Sequence, residues 1–436
     1  MTITRRQALG GAAAMATAGL LGQQRALAGI TPGKPFAGKE IKVLAVTSTQ
    51  FTAHAKKVAA FTEQTGIKVT YVYVPFAALR ERLTAEMVGG SDDFDLITAM
   101  DVWIPPLVDK YLIPLDKELA ARKIDLNRYP SAFRSAGAFS TGTYGLPVRC
   151  HIQLLWYRKD LFDKAGLQPP KTWEELVTSG KALQEANPGV AGVTIPYGRN
   201  DGQNLMVWYN FLWGKGGDLF DANMKPIFNS PQGIAAAQDF VDIILKHKIA
   251  PPGAGSFNEA DANTVFFQGK AAMVPTWWHV YNRLFLPDAT IKPDQAGFVP
   301  LPSYPGSGPT TYTNQWIYGV NGKSKNRDAA MEFMDYITSA DIERQILVDP
   351  AENDVVCVHW QNLRDPAVNA RFRGMHGIAA KALESTTKSI PNIPEFLPIV
   401  DSLASAMSEV VTSGKGVKEA LDGAAAQATR IMKRAG

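Results

Sequence analysis

The patterned part of the chain opens with a β-branched apolar run, IKVLAV from Ile41 to Val46, followed by helical spacing from Phe51 to Gln64 that Gly66 closes. A second run, IKVTYVYV, leads into a second helical stretch from Phe76 to Val88, stopped by Gly89-Gly90, and DFDLITAM supplies a third buried strand. Strands spaced by helices of this length predict βαβ units in a parallel sheet with helices on both faces. In such sheets ligands sit past the carboxyl ends of the strands, here Thr47 to Phe51 and Ala99 to Trp103.

A second block begins at YGLPVRCHIQLLWYRKDLF. Past Pro169-Pro170, Thr172 with Glu175 three residues later predicts a capped helix start. NSPQGIAAAQDFVDIILKHK is amphipathic, with Asn229 or Ser230 as cap and Pro231 in the first turn. VFFQGKAAMVPTWWH reads as a helix packing by Phe266 or Phe267, a turn at Gly269, then a strand that ends on Trp277 and Trp278. Neighbouring residues in regular structure cannot both face one core, so one of the two rings must meet something else. AGFVPLPSYPGSGPTTYTNQW is rich in Pro and Gly and reads as a crossing between domains. Helices are expected over Asp328–Thr338, Ala340–Leu347, Leu397–Val411 and Val417–Lys433.

At 436 residues the chain is long enough for two domains or more, because a single core stops growing at roughly 250 to 300 residues. The first 28 residues combine a basic start, an uncharged Ala/Gly-rich run and Ala26-Leu27-Ala28, predicting a signal peptide cleaved after Ala28. Arg5-Arg6 resembles a twin-arginine export signal. The run is too short and too weakly apolar to span a bilayer, and no cysteine stands at the cleavage point, so the expected product is free in the periplasm. Losing Arg5, Arg6 and Arg25 takes the formal charge from +4 to +1, which points to no polyanion and no nucleic-acid partner. Cys150 and Cys357 lie too far apart in sequence to say whether they pair; two separate buried thiols is the simpler expectation.

Catalytic signatures fail one by one. The six histidines show no paired ligand spacing, so no metal is expected. GVNGKS ends like a phosphate loop, but Ile317 stands where the first glycine is required. Ser385 to Lys388 has S-x-x-K spacing without its companion motifs, and neither G-x-S-x-G nor G-x-G-x-x-G occurs. Neither an enzyme nor a cofactor is expected.

The order of TGIKVT, DLIT with Asp101 and Trp103, YGLP, WYRKDLFDKAGLQPPKTWEEL, GGDLFDANMKPIFNSPQG, FFQGKAAM, SKNRDAAMEFMDYITSADIERQ and NIPEF resembles the extracellular solute-binding proteins of ABC importers, and within them the sugar-binding group. The resemblance implies an α/β fold of the two-lobed periplasmic binding protein type (type II), each lobe a central β-sheet flanked by helices. It implies a first lobe of residues 29–147 and 300–338, a second of 148–299 and 339–436, and hinge crossings near 147, 300 and 338. The implied partners are a small sugar ligand and an inner-membrane ABC permease, for a monomeric protein that closes its hinge around the solute.

A sugar presents C–H faces that pack on aromatic rings and a rim of hydroxyls that need planar donors and acceptors. Such pairs stand at Asp101 with Trp103, at Arg149 with His151, at Gln203-Asn204 ahead of Trp208-Tyr209, at Trp277-Trp278-His279, and at Asn314 with Trp316. Carried over by position, the family's contacts fall on Thr49, Gln50, Asp101, Trp103, His151, Gln203, Asn204 and an aromatic after KAAM, with Trp278 the better choice among Trp277, Trp278 and His279. His151 stands where the maltose-type members carry a carboxylate, a departure that puts the same substrate in doubt. The alternatives are a polyol or phosphorylated glycerol, with Arg149 and His151 facing the anion, and an exported enzyme.

Overall fold

In the computed structural model, residues 30–436 are described apart from residues 288, 309, 353–355, 385, 386 and 436. The signal segment and Ser385 of the S-x-x-K spacing lie outside the described residues. The strands, in chain order, are β1 (Glu40–Val46), β2 (Lys68–Val74), β3 (Leu96–Met100), β4 (Ala138–Phe139), β5 (Gly142–Thr143), β6 (Leu146–Pro147), β7 (His151–Arg158), β8 (Met273–Trp277), β9 (Ala296–Pro300), β10 (Thr311–Asn314), β11 (Trp316–Val320) and β12 (Thr387–Lys388).

The three opening β-branched runs build the first sheet, ordered β2-β1-β3-β11-β6. β1 is parallel to β2 and to β3, while β11 returns antiparallel between β3 and β6. Gly66 ends the helix ahead of β2 in the left-handed region, φ 75°, and a side chain there would run into Ala37. The helical stretch predicted from Phe51 to Gln64 divides into Thr49–Ala55 and Val58–Thr65. The break falls beside His54, whose Nδ1 lies 3.0 Å from the buried Tyr318 hydroxyl of β11.

The second sheet runs β12-β10-β7-β8, with β9 also on β7. Along β7 the side chains alternate, as the strand period requires. Ile152, Leu154 and Trp156 enter the core shared with the first sheet, and Leu155 enters a second core under the helices Gln203–Gly214, Pro231–Leu245 and Phe396–Ser413. The predicted caps form: Thr172 and Glu175 close a capping box, and the Ser230 side chain accepts from Gly233 N. Cys150 and Cys357 are both buried and free.

Sheet membership moves one expected crossing. The Pro/Gly-rich stretch does not pass between sheets near 300, because β9 before it and β10 after it both pair with β7. The change of sheet falls instead at Gln315, the single residue between β10 and β11. Past 338, Ser339 caps the helix Ala340–Leu347, whose Ile342 and Ile346 enter the core that the two sheets share, and the helix Met375–Glu384 sets His376 against Trp278 of that core, beside the second sheet that β12 then joins.

Candidate functional site

The two sheets face each other across a cavity of about 570 Å³. From the first sheet come Val46 to Ser48 past β1, Phe76 at the helix start after β2, Met100 at the end of β3, and Trp316 of β11. Val46, Phe76 and Met100 stand at or just past the carboxyl ends of the parallel strands β1, β2 and β3, where an open α/β sheet presents a ligand, and Trp316 opens the antiparallel β11 beside them. From the other side come Arg149, His151 of β7, Trp277 at the end of β8, and Asn314 at the end of β10. The helix Gln203–Gly214 adds Gln203 and Met206, the helix Glu259–Phe267 adds Glu259 and Asn263, and the 3₁₀ run Trp278–Phe285 adds His279, Asn282 and Arg283.

The doubled tryptophan divides between two cores. Trp277 is the last residue of β8, paired with Gln153, and its ring turns to the cavity beside His151 and Tyr312 at 5.9 and 5.7 Å. Its indole N–H donates to Glu259 Oε2 at 2.9 Å. Trp278, expected as the stacking platform, starts the 3₁₀ run, and its ring points into the opposite core: it is 0% exposed, donates to the Cys150 carbonyl at 3.1 Å and packs on His376. It does not reach the cavity. Trp316 does, with the Arg149 guanidinium 5.6 Å over its ring and Trp103 edge-on behind it at 5.5 Å.

On the polar side of the cavity burial keeps the imidazoles neutral beside the Arg149 and Arg283 guanidiniums. His151 and His279 lie with ring centroids 4.6 Å apart. Desolvation, reinforced by the Arg149 positive charge, keeps both imidazoles well below their ordinary pKa and therefore neutral. Neither His151 ring nitrogen, nor His279 Nδ1, has a hydrogen-bond partner among the described residues. Burial raises the Glu259 carboxyl, although the Trp277 N–H opposes it. Gln203 Oε1 accepts the backbone N–H of Glu259 at 2.8 Å and so fixes the start of that helix. A neutral His pair, a carboxyl, amides and two aromatic rings around one cavity can pair with hydroxyls at the rim and C–H faces at the centre. Among the described residues no cluster of three His, Cys, Asp or Glu side chains could hold a metal ion.

Of the sequence-predicted residues, Arg149, His151, Gln203, Trp277, Asn314 and Trp316 come together on this cavity. The others serve its frame. Thr49 is exposed at the first turn of its helix, away from the cavity. Gln50 is buried and accepts from Val356 N at 2.9 Å. Asp101 is buried among backbone and side-chain donors, Trp103 packs behind Trp316 and Phe76, and Asn204 donates to the Ala404 carbonyl at 2.9 Å. Sequence reasoning missed Glu259, Asn263 and Arg283. The signal for Glu259 was present: Asn258 and Asp261 form a capping box, and the residue after an N-cap sits at the exposed mouth of its helix.

The family model for the bacterial extracellular solute-binding protein matches residues 45–343. A probable amino-acid ABC transporter periplasmic-binding protein of Sinorhizobium fredii is 26% identical over 392 residues, 87% of each chain. A mannitol-binding protein of Pseudomonas aeruginosa is 25% identical over 402 residues, covering 85% of this chain and 87% of the relative. Among solved structures, an Agrobacterium radiobacter ABC transporter solute-binding protein in complex with ribitol aligns with a TM-score of 0.78 at 25% identity, over 91% of this chain and 100% of that one. The maltose-bound MalE3 of T. maritima aligns with a TM-score of 0.80 at 22% identity, over 90% of this chain and 99% of that one, a likeness of fold. Its two sheets with their helices are the two lobes of a periplasmic binding protein fold, and the chain belongs to the bacterial extracellular solute-binding proteins.

Proposed function

We propose that the chain captures a neutral carbohydrate, or its reduced polyol, in the cleft between its two sheets and delivers it to an ABC permease. The observation that carries this reading is the pairing of two aromatic rings, Trp277 and Trp316, with Arg149, His151, Glu259 and Asn314 around one cavity of about 570 Å³. That is the mixed chemistry a polyhydroxylated solute needs, in the size range of small-molecule sites. The mannitol-binding relative and the ribitol-bound neighbour favour an acyclic polyol as the second reading. A phosphorylated ligand has less support, because Glu259 shares the cavity with Arg149 and Arg283 and burial keeps His151 neutral. Export through the predicted signal peptide would put the receptor in the periplasm. Closure of the two lobes would let a solute touch both sides at once, so its contacts stabilise the closed state.

A thermal-shift panel of hexoses, disaccharides, alditols, amino acids and glycerol phosphates on the chain from Gly29 tests the class. A solute at about a hundred times its dissociation constant adds roughly 2.7 kcal/mol, a visible rise in Tm. A rise with a sugar or alditol is expected; a rise confined to amino acids or phosphates would replace this reading.

A further inference from the structure

Asp101 was expected to meet the solute, yet it is 1% exposed and lies off the cavity. It stands just past β3 of the first sheet, and its bonds go to Gln315 and its neighbours, where the chain passes from β10 of the second sheet to β11 of the first. Its backbone N–H donates to the Gln315 carbonyl at 2.9 Å, and the Gln315 N–H returns to Asp101 Oδ2 at 3.2 Å. Asp101 Oδ1 accepts from Val102 N at 2.8 Å and from Asn314 Nδ2 at 3.0 Å. The Tyr312 hydroxyl completes the set at 3.5 Å. Three of these partners, Tyr312, Asn314 and Gln315, are consecutive or nearly so on β10 and the crossing, and Asn314 also lines the cavity.

We propose that Asp101 is a positioning residue, a latch that clamps the crossing between β10 and β11 and sets which end of the Asn314 amide faces the cleft. A carboxylate can only accept, so it takes the Asn314 NH₂ and leaves the amide oxygen for the cavity, as an acceptor for a solute hydroxyl. This last consequence rests on the reading of the cleft as a site for hydroxylated solutes; the latch itself does not.

The surroundings make the latch sensitive to pH. Burial pushes the Asp101 carboxyl up to about 7, against the pull of its four donors. The titratable groups facing it are Tyr312 of β10, Tyr209 of the helix Gln203–Gly214 and Cys150 ahead of β7, all raised above their usual ranges by burial and so neutral. Protonation gives the carboxyl an O–H that needs an acceptor, and a turned Asn314 amide supplies one, which would present the NH₂ to the cleft instead. The sign on stability follows: the folded chain holds this proton more tightly than the unfolded chain, so Asp101 costs stability as pH rises from about 4 to about 7.

The test is read without solute. In protein carrying ¹⁵N at asparagine and glutamine, the Gln315 backbone amide and the Asn314 side-chain amide are followed between about pH 5 and pH 9. Both should titrate with one midpoint near 7 in the natural chain. Asp101→Asn should abolish that titration while cooperative unfolding persists. Asn314→Ala, which removes one donor, should raise the midpoint seen at Gln315, and it decides the matter if Asp101→Asn fails to fold. Flat resonances in the natural chain, a titration that survives Asp101→Asn, or an unmoved midpoint in Asn314→Ala would each overturn the latch. Failure here leaves the solute reading to the panel above, and failure of the panel leaves the latch.

Discussion

The Trp277 indole N–H donates to Glu259 Oε2 at 2.9 Å, tying the end of β8 to the first turn of the helix Glu259–Phe267. One bond thus sets the angle of a cavity ring and occupies one lone-pair site of the cavity carboxyl. Glu259→Ala is expected to weaken solute binding by about 1 to 3 kcal/mol, the cost of an unpaired buried donor. Glu259→Gln keeps an acceptor for the indole and should lose less. Calorimetric titration of both variants checks the order; equal losses would show that the charge, rather than the bond to Trp277, matters.

The two tryptophans should separate cleanly. Trp277→Ala removes a cavity ring and is expected to cost roughly 1 to 3 kcal/mol of affinity. Trp278→Ala opens a hole between His376 and Phe133 and is expected to cost about 3 to 5 kcal/mol of stability. Denaturant unfolding alongside titration distinguishes them. Swapped outcomes would return Trp278 to the cleft.

Gln50 should behave as a strut. Its carbonyl oxygen holds Val356 N at 2.9 Å and its amide lies 3.2 Å from His54 Nε2, both buried. Gln50→Ala is expected to lower stability by about 1 to 2 kcal/mol and leave affinity unchanged. A large loss of affinity with unchanged stability would contradict that role.

Acid should destabilise the fold through its buried histidines. Burial lowers His54 to about 4 and His376 to about 3, so the unfolded chain takes up these protons first as pH falls below the ordinary value of 6.5. Their contribution is fully present above 6.5 and is lost progressively as pH falls toward 4 and 3. Tm should drop over that window, and His376→Leu, which removes one such proton site from its pocket of Trp278 and Phe372, should flatten the drop. An unchanged pH slope in the variant would place the acid sensitivity elsewhere.

Much of the fold was legible because periodicity and caps are local. The β-branched runs, the Thr172–Glu175 box, the Pro231 start and the Gly66 stop all act within a few residues of themselves. What local pattern does not carry is pairing. The Pro/Gly-rich stretch looked like a crossing because of its composition, but β7 offers one edge to both β9 and β10, and the loop between them simply leaves and returns. The strand period said that Trp277 and Trp278 must part ways; which ring reached the cleft depended on where β8 ended, at Trp277. Asp101 and Gln50 have residue types suited to a sugar, and both were expected there. Tertiary hydrogen bonds to the crossing and to Val356 take them up instead.

Solute capture in the cleft is tested most directly by a calorimetric titration of the chain from Gly29 with D-mannitol, ribitol, D-glucose and maltose, each repeated on Trp277→Ala. The predicted result is saturable one-to-one binding of at least one of them, weakened about 5- to 150-fold in the variant, the equivalent of 1 to 3 kcal/mol. Heat-silent titrations with all four, or an affinity that Trp277→Ala leaves untouched, would contradict it.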